Sequence, residues 1–301
     1  MLCKLNFGYH IVISIIIFGG IMKIREIKKV VTGSRAIDGA GVKLVRVLGH
    51  NDVEDFDPFL MFDAFDSVNP EDYIKGFPWH PHRGIETITY LINGNIEHGD
   101  SLGNKGSILD GCCQWMTAGS GIMHQEMPKA TDRILGAQLW LNMPKASKMS
   151  EPKYCDITND MVPTIIEGKN TIKVISGNYN NNSSSVYGDY VKMTYLDVHM
   201  NDNSEWTFNV NPEDTVFIYI VEGKGSFGNL NNNYESKRAI LFSEGDVFKA
   251  KTEDSEVRFF LYAAKPLKEP IAWGGPIVMN TKEELNHAFN ELRDGTFIKH
   301  K

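Results

Sequence analysis

Two short stretches of this chain bring together side chains that bind transition metals. In Phe77-Pro-Trp-His80-Pro-His82-Arg-Gly84 the histidines stand two residues apart, so in extended backbone both project from one face. Two imidazoles on one face can reach a single ion at normal bonding distance. In Gly119-Ser-Gly-Ile-Met-His124-Gln-Glu126 the histidine and the glutamate alternate in the same way. Two strands that each turn such a pair toward one interior point supply three nitrogens and one carboxylate oxygen. A single His-x-His carries little weight in a chain with nine histidines, whose ordinary role is structural. His-x-His followed some forty residues later by His-x-Glu, both bounded by Gly and Pro, is far more specific.

Such a donor set leaves a divalent ion with a net charge of about +1 and open positions, close to the arrangement in non-haem iron oxygenases. A substrate hydroxyl could take one open position, where it loses its proton more readily, and dioxygen another. Glu126 could also accept that proton, which makes it the candidate catalytic residue. Iron, manganese, nickel, cobalt and copper all suit these donors, and affinity alone does not choose among them. Trp79, Trp115, Met116 and Met123 flank the four residues and could wall an apolar pocket, ordinary barrel core being their plainer role. His98, in the hairpin after Asn93-Gly94, is read as a non-ligand.

The elements that must position these groups are strands. Glu86-Thr-Ile-Thr-Tyr-Leu-Ile92 runs into the turn signal Asn93-Gly94, and Val216–Val221 runs into Glu222-Gly-Lys-Gly225, read as a turn. Ala239–Phe242 leads to Glu244-Gly-Asp246, and Val257–Tyr262 closes the set. Short β-branched and aromatic runs at this spacing predict an all-β fold of sandwich or barrel type. The halves repeat the same style, as in Tyr90-Leu-Ile-Asn-Gly94 and Ile220-Val-Glu-Gly223, which predicts two barrels in tandem joined near residues 145–172. Tyr179–Ser185 reads as a surface loop without core-forming residues. Only the end reads helical, with Asn280-Thr281 as cap, Leu285, Ala288, Phe289 and Leu292 as the apolar stripe, and Asp294-Gly295 as the stop.

With 301 residues, 42% hydrophobic and 23% charged, the chain can build two domains with cores. The formal net charge of -7, without a basic run, argues against direct binding to nucleic acid. Cys3, Cys112, Cys113 and Cys155 show neither zinc-finger spacing nor a CxxC pair and read as reduced thiols of a cytoplasmic protein. Redox sensing by Cys112 and Cys113 is the minor alternative. Residues 1–21 hold Lys4 and the apolar run Ile11–Phe18, too short to span a membrane comfortably and followed by no clear cleavage site. They read as an N-terminal extension from a mis-assigned start at the expense of an export signal or an edge strand, with Met22 as the natural start.

The stretches FDPFLMFDAF, HPHRGIETITYLINGNIEH and QWMTAGSGIMHQEMP, with the tail EPIAWGGPIVMNTKEEL, closely resemble the pirin family of the cupin superfamily. The resemblance spans roughly Met22 to Phe297. It implies two cupin barrels of the double-stranded β-helix or jelly-roll type, a metal-binding one over residues 22–165 and one without metal over 166–301 with a terminal helix. In that family the first barrel binds a metal, usually iron, through residues that match His80, His82, His124 and Glu126. The resemblance therefore puts iron(II) foremost. Glu86 occupies the place of a ligand in cupins at large but not in pirins, and is read as supporting the ligands or lying on the strand surface. The second half has His199 but neither His-x-His nor His-x-Glu.

Some pirins are similar to flavonol dioxygenases, so the leading expectation is ring cleavage of quercetin or a related flavonol with O2. The alternative implied by the resemblance is a redox-sensing iron protein that regulates a partner enzyme or transcription factor.

Overall fold

A computed structural model of the protein describes residues 22–229 and 232–300. The expected extension over residues 1–21, with Cys3, lies outside the described residues. The described residues are built mainly from strands, with one α-helix among them, α1 (Lys282–Arg293), near the C-terminal end. No helix among the described residues is long and apolar enough to cross a membrane.

In chain order the first twelve strands are β1 (Ile27–Thr32), β2 (Ser34–Asp38), β3 (Val42–Leu48), β4 (Phe59–Ser67), β5 (Phe77–His82) and β6 (Ile85–Asn93), then β7 (Ile96–Asp100), β8 (Lys105–Ile108), β9 (Cys113–Thr117), β10 (Ile122–Pro128), β11 (Ile134–Asn142) and β12 (Lys153–Ile157). All but β1 form the first unit, a seven-stranded sheet ordered β12-β9-β6-β11-β4-β3-β2 facing a four-stranded sheet ordered β5-β10-β7-β8. The second unit is a ten-stranded sheet whose main path runs from β1 through 238–242, 215–227, 257–264, 193–200 and 170–176 to 164–167. Two β-sheet units in tandem with a terminal helix are the architecture expected from the spacing of the strand runs.

Strand alternation explains how one sheet serves two cores. On β6, Ile88 and Tyr90 face the second unit, while Thr89 faces the interior of the first. Both faces are covered, so the strand is buried along most of its length. Across the boundary Phe59 packs edge-on against Phe217 with centroids 4.9 Å apart, and Phe62 meets Tyr219 at 5.0 Å. The Tyr90 hydroxyl donates to Asp197 at 2.8 Å, and Arg258 holds the same carboxylate at 2.9 and 2.6 Å. The main core is therefore shared by the two units.

The chain does not keep to its halves. Strand β1 leaves the first unit and pairs antiparallel with 238–242 of the second, with Val30 opposite Ile240. At the other end Ile277 bridges back to Arg83. Two local expectations are corrected. Glu222–Gly225 is no turn: the strand Thr215–Phe227 runs through it, shifts register between Ile220 and Glu222, and takes Gly223 at φ +75° as it bends to new partners. A bulge and a turn share the same glycine signal. Nor is Tyr179–Ser185 free of core residues, because Tyr179 is buried, accepts from the Trp206 indole at 2.8 Å and donates to Glu167 at 2.5 Å.

Helix α1 has the reciprocal cap its sequence predicts: Thr281 Oγ1 accepts from the Glu284 amide at 3.1 Å, and Glu284 Oε2 accepts from the Thr281 amide at 3.0 Å. Its Ala288 is buried, with Leu285 and Leu292 packed beside it.

Candidate metal centre

Strands β5 and β10 pair antiparallel with His124 directly opposite His80 and Ile122 opposite His82. The register shift after His124 lets β10 continue beside β5 with Glu126 opposite Phe77. His80, His82 and His124 thus converge, each offering a ring nitrogen within 4.8 Å of the others. The ring centroids of His80 and His124 are 4.3 Å apart, and those of His82 and His124 are 4.9 Å apart.

The hydrogen bonds of these rings aim their free nitrogens. His80 Nδ1 lies 2.8 Å from the Pro78 carbonyl and His82 Nδ1 lies 3.1 Å from the Pro276 carbonyl. A carbonyl only accepts, so each Nδ1 carries a proton and each ring, in the form that binds metal, presents an Nε2 lone pair. Those two Nε2 atoms face each other at 3.1 Å, a repulsive arrangement unless a cation or a proton lies between them. His124 is fully buried and neither ring nitrogen has a hydrogen-bond partner, which costs stability unless a ligand answers it. Burial, then the neighbouring imidazole of His80, pushes His82 down to about 3. Burial, then His82, His80 and His98, pushes His124 well below the usual histidine range. Converging imidazoles with free nitrogens, two of them held from the charged form by burial, fit a divalent metal ion.

Glu126 lies on the same cavity but outside that cluster of nitrogens. Gln138 Nε2 donates to both of its carboxylate oxygens at 2.9 Å, and Thr89 Oγ1 donates to Oε1 at 3.2 Å. Trp140 Nε1 in turn donates to Gln138 Oε1 at 3.2 Å, which fixes the amide's orientation. His98 is buried beside His124 with ring centroids 5.5 Å apart, and its Nε2 pairs with Asp100 at 3.3 Å. It stands next to the triad and is not part of it.

A cavity of about 700 Å³ opens on the triad. Its aromatic wall runs outward from His82: Trp140 lies edge-on at 4.9 Å, Trp273 follows at 5.8 Å, and His50 stacks on Trp273 at 3.8 Å. At the rim Arg46 is consumed by two carboxylates, Asp63 at 2.9 and 2.7 Å and Asp38 at 2.6 Å. Hydrogen bonding to Asp63 raises the Arg46 pKa above its ordinary value, so its charge is fixed and balanced.

Of the four flanking residues expected near a pocket, only Trp79 lines this cavity. Trp115 faces the second unit because β9 alternates, Met116 is core of the first barrel, and Met123 sits opposite Pro81 away from the opening. Glu86 neither supports the ligands nor lies on the surface. It is buried on the face of β6 opposite the one that carries Thr89, and takes a hydrogen bond from Thr117 at 2.6 Å. Gln138, Trp140, Trp273 and the Pro276 carbonyl carried no spacing signal of their own. Cys112, Cys113 and Cys155 are free, and burial raises the Cys113 and Cys155 thiols, which speaks against reactive thiolates at those two positions.

Comparison with known proteins gives this geometry a lineage. The Pirin family pattern matches residues 41–141, and the pattern of the pirin C-terminal cupin domain matches residues 195–298. The "Pirin-like protein" of Caulobacter vibrioides is 38% identical over 279 residues, 92% of this chain and 100% of the relative. The "Pirin" of Homo sapiens is 35% identical over 261 residues, 85% of this chain and 88% of the relative. Among solved structures, quercetin 2,3-dioxygenase from Acinetobacter baumannii superposes with a TM-score of 0.82 at 30% identity, covering 91% of this chain and 98% of that one. With both family patterns in place and its relatives matched nearly end to end, this chain belongs to the pirin family.

Proposed function

We propose that the protein is a metal-dependent dioxygenase that opens a hydroxylated aromatic ring of the flavonol type, quercetin or a close relative, with O2. The observation that carries this reading is the joining of the three converging imidazoles to a cavity with a continuous aromatic wall. Its volume of about 700 Å³ lies within the usual range for small-molecule sites. The solved relative from Acinetobacter baumannii bears the name quercetin 2,3-dioxygenase.

In this reading His80, His82 and His124 hold one divalent ion, iron(II) foremost, with Glu126 as fourth ligand. The ion supplies Lewis acidity toward the substrate hydroxyl and access to O2 chemistry. The protein's own groups do the rest. The Pro78 and Pro276 carbonyls hold the imidazoles in the tautomer that binds. Trp140 and Trp273 offer flat faces to a planar ring and exclude water from it. The balanced Arg46 group leaves no free cation at the rim to select an anionic carboxylate substrate. Glu126, held by Gln138 and Thr89, receives the proton that the substrate hydroxyl gives up.

Oxygen uptake on adding quercetin to the iron(II)-loaded protein tests this, with His82→Ala alongside. Uptake that follows substrate and disappears in the variant supports the reading. Metal bound at full occupancy with no uptake overturns it, and turns attention to a partner that distinguishes the two oxidation states.

A further inference from the structure

On the far face of β6 from the metal cavity lies a second, smaller cavity of about 230 Å³, between the first unit and the loop 185–189. Glu86 and Trp115 line it from the sheet, Tyr154 from β12, and Tyr187 and Asp189 from the loop. Glu86 is only 1% exposed. Its Oε1 takes the Thr117 hydroxyl at 2.6 Å, while Oε2 is buried without a partner in hydrogen-bond geometry. A buried carboxylate oxygen left in that state costs of the order of 1–3 kcal/mol or more, unless a donor arrives from outside the chain.

The chemistry of that donor follows from the lining. Lys153, the cation lining this cavity, is paired with Asp189 at 2.6 Å, and Lys192 beside it turns to the Gly188 carbonyl at 2.7 Å, so neither cation is bonded to Glu86. Trp115 and Tyr154 supply aromatic surface around it, which favours a cation over a neutral donor, and the Tyr187 ring already carries Lys192 at 5.6 Å. Gly188 lets the loop come this close: at φ +71° a Cβ there would lie 3.3 Å from the Trp115 ring and 2.2 Å from the Val191 carbonyl oxygen. The volume falls below the usual range for drug-sized ligands, so the guest is small.

We propose that this cavity is a second binding site, separate from the metal centre, for a small primary ammonium compound with an apolar body, its N–H groups answering Glu86 Oε2. Burial, opposed by the Thr117 hydroxyl and by the nearby Trp115 indole, which makes no hydrogen bond to Oε2 in normal geometry, pushes the Glu86 carboxyl up to about 7. An arriving ammonium therefore also holds the carboxylate in its charged form.

Calorimetric titration of the full chain with benzylammonium, at a pH above 8, tests the assignment. Saturable binding is expected, weakened by about tenfold or more in Glu86→Gln and unchanged in His82→Ala. Tyr187→Ala, at an exposed position, weakens it more mildly and covers the case in which Glu86→Gln does not fold. Absence of saturable heat up to about 10 mM overturns the proposal. So does equal affinity for neutral benzyl alcohol, or loss of binding in His82→Ala, which would put the guest in the metal cavity instead.

Discussion

His124 shows how much a single side chain can disclose. A fully buried imidazole with two unpartnered nitrogens is unstable company for an apolar core, and its place opposite His80 explains why it is kept. That triad was legible in the sequence, because alternation in a strand is enough to turn His80 and His82 the same way. The residues that aim it were not, since Pro276 and Gln138 reach the site only through long-range packing. Gln138→Leu removes the donor that Glu126 shares between both oxygens. Turnover is expected to fall at least about tenfold, with stability lower by about 2 kcal/mol and the histidines still binding metal; oxygen uptake, thermal melts and metal analysis read the three separately. Glu86 makes the opposite prediction. A carboxyl raised to about 7 when folded binds more protons folded than unfolded between about pH 4.5 and 7, so its contribution to stability falls as pH rises through that window. Glu86→Gln is therefore expected to be the more stable protein above pH 7, by about 1–3 kcal/mol, and the difference should vanish near pH 4 in denaturant titrations.

At the scale of elements, the strand runs around 85–93, 239–242 and 257–264 could be read from β-branched and aromatic residues alone, and α1 from its cap and stripe. The bulge at Gly223 could not, because glycine marks turns and bulges alike. The sequence also did not show what α1 is for. Arg83, adjacent to His82 of the triad, is 1% exposed and bonds Glu291 of the helix at 2.6 Å, the Ser120 carbonyl at 2.6 Å and the Phe297 carbonyl at 3.0 Å. Its guanidinium also lies over the Phe297 ring at 4.2 Å. Helix α1 and strand β5 are thus one mechanical unit. Arg83→Ala leaves two carbonyls without this donor and Glu291 with only Lys299 and His287, and is expected to cost about 3 kcal/mol, with faster loss of metal to a chelator. Arg293→Ala, on the exposed side of the same helix, is expected to cost less than about 0.5 kcal/mol.

At the scale of the whole molecule, tandem units were legible from the repeated strand style, whereas their interlocking was not. Periodicity reports which residues are apolar, not which sheet they join, and β1 reads as well in one unit as in the other. Phe59, Phe62, Phe217 and Tyr262 belong to a single core that crosses the boundary. Calorimetric unfolding of the intact protein is accordingly expected as one cooperative transition, and residues 22–165 made alone are expected to be insoluble or partly unfolded. Two resolved transitions would show that the shared core is weaker than its packing implies.

The carbonyl of Pro276 has a bearing on how the protein is made. It fixes the tautomer of His82 from a point 194 residues downstream, and the segment after it docks on Arg83. A ribosome delivers these parts last. While synthesis is still short of Pro276, all three histidines already exist, yet one lacks the contact that aims it. On the proposed reading, the triad reaches the arrangement that suits an ion only once the segment from Pro276 onward has been made and has docked.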